Sequence, residues 1–212
     1  ASGMTVHSKP YEGATGYLDM LSKFELPGRA TLESLVVQNE SGTFAIDVAP
    51  QGKGASLKTE KPVQLPAGKY VVVRGVMTMM KDSVIIGQGE MPPIEVKKGE
   101  TTVVEWGMPY SMSAEITANI TGLNVDKIKV NGRARETYIT EGTQAPVVTV
   151  RFKGRVVKQD YLALDDKGAF SAWFLDPKVK GIYAVGLELK HRILGALEVP
   201  AEELSYRPAF DG

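Results

Sequence analysis

Apolar residues in this chain recur at every second position, in short runs cut by Gly, Pro, Asn and Ser. This pattern, more than any other feature, limits what the chain can fold into. Phe44, Ile46 and Val48 alternate with Thr43, Ala45 and Asp47. Val148, Val150 and Phe152 alternate with Thr149 and Arg151. Leu187, Leu189, His191 and Ile193 alternate with Glu188, Lys190 and Arg192. Val71, Val73 and Met77 fall on one side of another run, with Val72, Val76 and Met80 on the other. Successive strand side chains point to opposite faces, so each run reads as a strand with one buried face. Turn residues interrupt the runs about every 8–12 positions, the spacing of a sandwich or barrel. Asn131-Gly132 is the strongest hairpin signal, because both residues tolerate the positive φ of a tight turn. Glu40-Ser41-Gly42 and Asp166-Lys167-Gly168 read as further turns. No long amphipathic helix is evident; single helical turns are expected only over residues 17–24 and 201–206.

The expected fold is all-β, with two tandem β-sandwich domains of prealbumin-like or immunoglobulin-like type. The 212 residues are long for one sandwich and comfortable for two. The expected division is an irregular lead-in over 1–23, a first sandwich over 24–109 and a second over 110–212. Pro109 interrupts the ladder at that boundary. Both halves use one order of phrases. Gly42-Thr43-Phe44, Gly68-Lys69-Tyr70 and Ile94-Glu95-Val96 face Gly168-Ala169-Phe170, Gly181-Ile182-Tyr183 and Leu197-Glu198-Val199. The spacings differ between halves, so duplication and independent use of one hairpin grammar both remain open.

Leu65-Pro66-Ala67-Gly68-Lys69-Tyr70, followed by Val71-Val72-Val73, resembles a phrase of prealbumin-like modules, also called carboxypeptidase-regulatory-like domains, in bacterial envelope proteins. The segment Ile94-Glu95-Val96-Lys97-Lys98-Gly99-Glu100, with Thr101-Thr102-Val103-Val104, is similar to their closing segment. Asp165-Asp166-Lys167-Gly168-Ala169-Phe170 and the later Gly181-Ile182-Tyr183-Ala184-Val185 resemble the same grammar. Lys178-Val179-Lys180 departs from it where a Leu-Pro turn belongs, as does the stretch 76–93. The resemblance implies spacers, adhesion modules or binding surfaces, and carries over no catalytic residue.

Composition narrows the chemistry. With no Cys, the chain has no disulfide, thiolate zinc site or cysteine nucleophile. Two His leave little for imidazole metal sites. Lys+Arg and Asp+Glu balance at 25 each, whereas a general nucleic-acid binder needs a basic excess. The longest apolar runs, 70–73 and 84–86, are far short of the roughly 20 residues that cross a bilayer. No cofactor is expected. Ala1-Ser2-Gly3 suits a mature chain whose signal has been removed, or a cloning remnant, and the lack of Cys fits an extracytoplasmic location in the periplasm, on the outer surface or secreted.

His191 shares a strand face with Leu189 and Ile193, which reads as a core histidine with a satisfied hydrogen bond. Met77, Met79 and Met80 offer soft thioethers of the kind that select Cu(I), and also the flexible side chains that fill core gaps. Trp173, with Trp106 and Tyr110, offers aromatic faces for a glycan or a protein partner, or for a domain contact. Asp165-Asp166 suits a turn, because adjacent strand residues face opposite ways. Residues 51–56 resemble a phosphate loop but lack its spacing and its helix. Arg133, Arg135, Arg151, Lys153 and Arg155 read as a solvated face. The expected role is a non-enzymatic extracytoplasmic binding or structural module of a cell-surface or envelope assembly. The alternative is a carbohydrate- or copper-binding protein.

Overall fold

The structure, a computed structural model, describes residues 13–48, 62–141, 144–165 and 169–208. Every regular element among them is a β-strand, as the alternation predicts. The first half supplies β1 (Thr15–Asp19), β2 (Phe24–Glu25), β3 (Thr31–Asn39), β4 (Gly42–Ile46), β5 (Val63–Pro66), β6 (Gly68–Met79), β7 (Asp82–Gly87), β8 (Ile94–Val96), β9 (Thr101–Val103) and β10 (Trp106–Gly107). The second supplies β11 (Ser111–Asn119), β12 (Gly122–Asn131), β13 (Thr137–Glu141), β14 (Val147–Phe152), β15 (Arg155–Tyr161), β16 (Trp173–Leu175), β17 (Gly181–His191) and β18 (Gly195–Tyr206). His7, residues 51–56 and the turn 166–168 lie outside the described residues.

The largest sheet follows the order β11-β12-β13-β7-β6-β3-β4, with β16 beside β12 and β8 beside β6. A four-stranded sheet runs β15-β14-β17-β18; β5-β1-β9 and β10-β2 make smaller ones. Three expectations change. The lead-in is not irregular throughout: β1 pairs with β5 and β9, and Leu18, Met20 and Leu21 are buried. Residues 201–206 are the end of a strand, not a helical turn. Residue 110 does not separate two sheets, because β13 pairs with β7 from Thr137↔Gly87 to Glu141↔Ser83. Buried side chains from both halves form one connected cluster.

Two parts of the structure repeat one another. β4-β3-β6-β7 and β15-β14-β17-β18 have the same antiparallel order. Leu35, Val37, Asn39, Gly68, Tyr70 and Val72 correspond to Val148, Val150, Phe152, Gly181, Tyr183 and Val185 at one constant offset in sequence. Val37 lies opposite Val72 as Val150 lies opposite Val185. The Tyr70 hydroxyl donates to the Pro66 carbonyl at 2.7 Å, and that of Tyr183 donates to the Val179 carbonyl at 2.7 Å. A tyrosine tied to backbone a few residues upstream pins the corner where a chain enters a core strand. A Cβ on Gly68 would lie 3.1 Å from the Asn39 side chain, and one on Gly181 2.6 Å from the Phe152 ring. Glycine at both sites therefore lets β6 and β17 approach their neighbours.

The repeat matches the Gly-x-Tyr phrase but not the other two. Gly42 corresponds to Arg155, each closing its hairpin opposite Asn39 or Phe152. Ile94 faces Tyr70 as Leu204, not Leu197, faces Tyr183. In the first copy β7 and β8 divide the pairing with β6; in the second β18 spans the whole of β17.

Candidate functional site

Alternation along β14 and β17 buries Val148, Val150, Val185 and Leu187 on the core side. The opposite side carries Thr149 and Arg151 on β14, and Ile182, Ala184, Gly186 and Glu188 on β17. Cross-strand register fixes their neighbours. Arg151 lies beside Ala184 and Ala184 beside Glu203; Glu188 lies beside Glu198. On β15, Val156 lies opposite Arg151 and Tyr161 opposite Val147. Two adjoining grooves, of about 570 and 270 Å3, open on this side and share Arg151 and Ala184. The floor is low because Ala184 and Gly186 are small. Gly186 fits closely there: a Cβ would lie 3.1 Å from the Ala201 Cα, where β18 closes in at the register shift between Val185 and Leu187.

The two ends of this face carry opposite charge. The larger groove is lined by Arg151, Lys153 and Lys180 against one carboxylate, Glu203, with Phe152, Val179 and Ile182 as its apolar walls. The smaller is lined by Glu188 and Glu198 at its far end, where the exposed Lys190 of β17 follows on the same side. Lys153 and Gly154, both at positive φ, make the tight turn from β14 to β15. That turn places the Lys153 ammonium 5.3 Å from the Phe152 ring centroid. Phe152 stacks on Tyr183, and Tyr183 meets Tyr206 edge-on. The Tyr206 hydroxyl donates to Asp176, and Lys178 with Tyr206 holds the Asp176 carboxyl below the usual carboxylate range. Burial raises the Tyr183 and Tyr206 hydroxyls, Asp176 adding to the rise at Tyr206, so both stay protonated donors at neutral pH. Ile182 is 59% exposed, Val156 48% and Tyr161 79%, an apolar fringe along the face. β15 pairs with β14 alone among the described strands, so its other edge is open.

The residues singled out in the sequence do not converge here. Trp106 is fully buried; its indole donates to the Met20 carbonyl and its ring packs on Phe24, so it has no face for a ligand. Tyr110 is half-buried against Tyr138, its hydroxyl enclosed and without a hydrogen bond, and burial raises its pKa, with Glu136 adding to the rise. Trp173 is half-buried, and its indole donates to Asp160 at 2.8 Å, tying β16 to the inner side of β15. Met77 is fully buried, Met79 is half-buried and Met80 is 87% exposed at the β6–β7 turn, so the three thioethers do not share one environment. No group of three or more His, Asp or Glu suited to a metal occurs among the described residues. His191 is buried, and its Nδ1 accepts from the Ile193 and Leu194 amides, the satisfied core histidine that the alternation implies. The Arg151–Arg155 region, read as a solvated face, is part of the grooved face. The outward alternation of Thr149, Arg151, Ala184, Gly186 and Glu188 was the available signal.

No family model matches the chain, and no curated protein is significantly similar to it. Among solved structures it is similar to a leucine-rich repeat protein from Bacteroides thetaiotaomicron, at 14% identity and a TM-score of 0.23. That likeness covers 92% of this chain and 26% of the other, so the chain spans about a quarter of its length. At that TM-score the likeness carries no argument. Among the described residues, no helix is long and apolar enough to cross a membrane.

Proposed function

We propose that the chain is a non-enzymatic binding or structural module of an extracytoplasmic assembly, at the cell surface or in the envelope, and that it makes its contacts through the outer side of the β15-β14-β17-β18 sheet. One observation carries this reading: that side is grooved, fringed by exposed apolar residues and bounded by an open strand edge. Exposed apolar fringes of this kind mark contact surfaces, and an open edge can accept a further strand. The finer reading, two tandem prealbumin-like or immunoglobulin-like sandwiches, is supported by the two tyrosine corners and the common strand order.

The test is native electrophoresis of fractionated cells. The chain is expected outside the cytoplasm, in a complex larger than itself. Ile182→Asp with Val156→Lys is expected to release it from that complex while leaving its far-UV spectrum unchanged. Finding the chain in the cytoplasm, free of any complex, refutes the reading.

A further inference from the structure

We propose that the partner seated on this grooved face is a second copy of the same chain, packed sheet to sheet with its strands antiparallel to those below. The inference rests on reading the outer side of the second sheet as a contact surface. It goes further by naming the occupant.

The charge layout makes the case. Arg151, Lys153 and Lys180 outnumber Glu203 toward the β14–β15 turn, while Glu188 and Glu198 outnumber Lys190 at the opposite end of the same face. A partner of one sign would meet repulsion at one end. A partner with the same two-ended layout, turned end for end, meets net attraction at both, against one like-charge meeting of Glu203 with Glu198 of the other copy. The second copy is such a partner, and a two-fold axis parallel to the sheet, midway between the two copies and perpendicular to the strands, gives this arrangement. An axis parallel to the strands would set like charges together, so the charges select the first. Between the ends, Ala184, Gly186 and Thr149 keep the surface low, as close approach of two sheets at about 10 Å demands. The exposed Ile182, Val156 and Tyr161 supply apolar area to bury. The formal net charge of the chain is +0, so no overall repulsion opposes association. The first repeat carries Gln38 and Val71 where the second carries Arg151 and Ala184, so the charge layout belongs to the second repeat.

Sedimentation equilibrium of the purified chain tests this. A dimer is expected at concentrations up to about 100 µM, well above the Kd of an interface of ordinary size. It is expected to weaken as salt rises from about 50 to about 500 mM, because the screening length shortens. Arg151→Glu with Lys153→Glu, and separately Glu188→Lys with Glu198→Lys, should each raise the dimer Kd at least about a hundredfold. Mixing the two variants should restore a heterodimer, since both ends are then complementary again. That rescue excludes misfolding as the cause of the losses. A wild-type chain monomeric throughout, a dimer indifferent to both reversals, or a mixture that fails to associate overturns the proposal. If the purified chain is monomeric while Ile182→Asp with Val156→Lys still releases it from its cellular complex, the contact surface stands and the second copy as its occupant falls.

Discussion

Tyr70 is fully buried, and its hydroxyl is the donor that satisfies the Pro66 carbonyl beneath the corner into β6. Phe44 packs edge-on against its ring. Taking away one partner of a buried hydrogen bond leaves the other desolvated and unpaired, which costs about 1–3 kcal/mol. Tyr70→Phe is therefore expected to lower unfolding stability by about 1–3 kcal/mol, read from the urea midpoint at unchanged slope. Tyr183→Phe should cost less, about 1 kcal/mol, because the Val179 carbonyl is only partly screened from water. Equal costs at both corners would show that burial does not set the difference. Glu136 is a second residue whose role no linear pattern shows. It is fully buried and accepts from the Gly107 and Ala134 amides and the Tyr138 hydroxyl. Gly132 leaves room for it, because a Cβ there would lie 1.9 Å from its Oε1. The Asn131-Gly132 signal thus marks a real hairpin between β12 and β13. The positive φ sits at Arg135, and the glycine serves the carboxylate instead.

At the level of elements, the hairpin tips of the two repeats touch. Asp82 opens β7, and its Oδ2 lies 2.7 Å from Arg192 Nη1 in the β17–β18 turn, without the direction of a hydrogen bond. The contact is therefore coulombic. His191 adjoins it, and burial holds its imidazole below the ordinary value of 6.5, with Asp82 opposing and Arg192 reinforcing the shift. A histidine whose folded pKa is lowered favours folding while neutral. Its contribution is full above 6.5 and is lost as pH falls below that value. Protonation at Nδ1 would also break its bonds from the Ile193 and Leu194 amides. From about pH 7.5 to about pH 5.5 the wild-type urea midpoint is expected to fall more than that of His191→Gln. Parallel falls would remove His191 from the account. How far elements were legible follows the same physics. Alternation identifies β4, β14 and β17, each with one side turned to the core. It misassigns β6, where Tyr70 and Val72 point inward but so does Met77, because Val73 is an extra residue at the register shift opposite Val36 and Val37. The helix-forming residues 201–206 are held extended by pairing with β17, which outweighs local preference. The grooved face was legible as alternation only. Its depth depends on which small residues lie side by side across strands, and that is fixed by register.

Across the whole molecule, no break in the structure falls at residue 110. Gly107 donates to Glu136, Arg133 donates to the Gly107 carbonyl and pairs with Glu25, and β13 extends the sheet from β7. The hairpin tips add the Asp82–Arg192 contact. Two sandwiches joined by a linker would open one at a time, whereas halves that share a sheet and a connected core lose both together. A single cooperative transition is therefore expected, with calorimetric and van't Hoff enthalpies equal. Local probes can check it half by half. In Trp173→Phe the remaining fluorescence reports Trp106, buried in the first half, while far-UV circular dichroism reports the strands of both. Urea midpoints from the two probes should coincide. A Trp106 signal that changes before or after the circular dichroism would mean that the first half opens on its own. The shared sheet would then contribute too little pairing across β7 and β13 to couple the repeats.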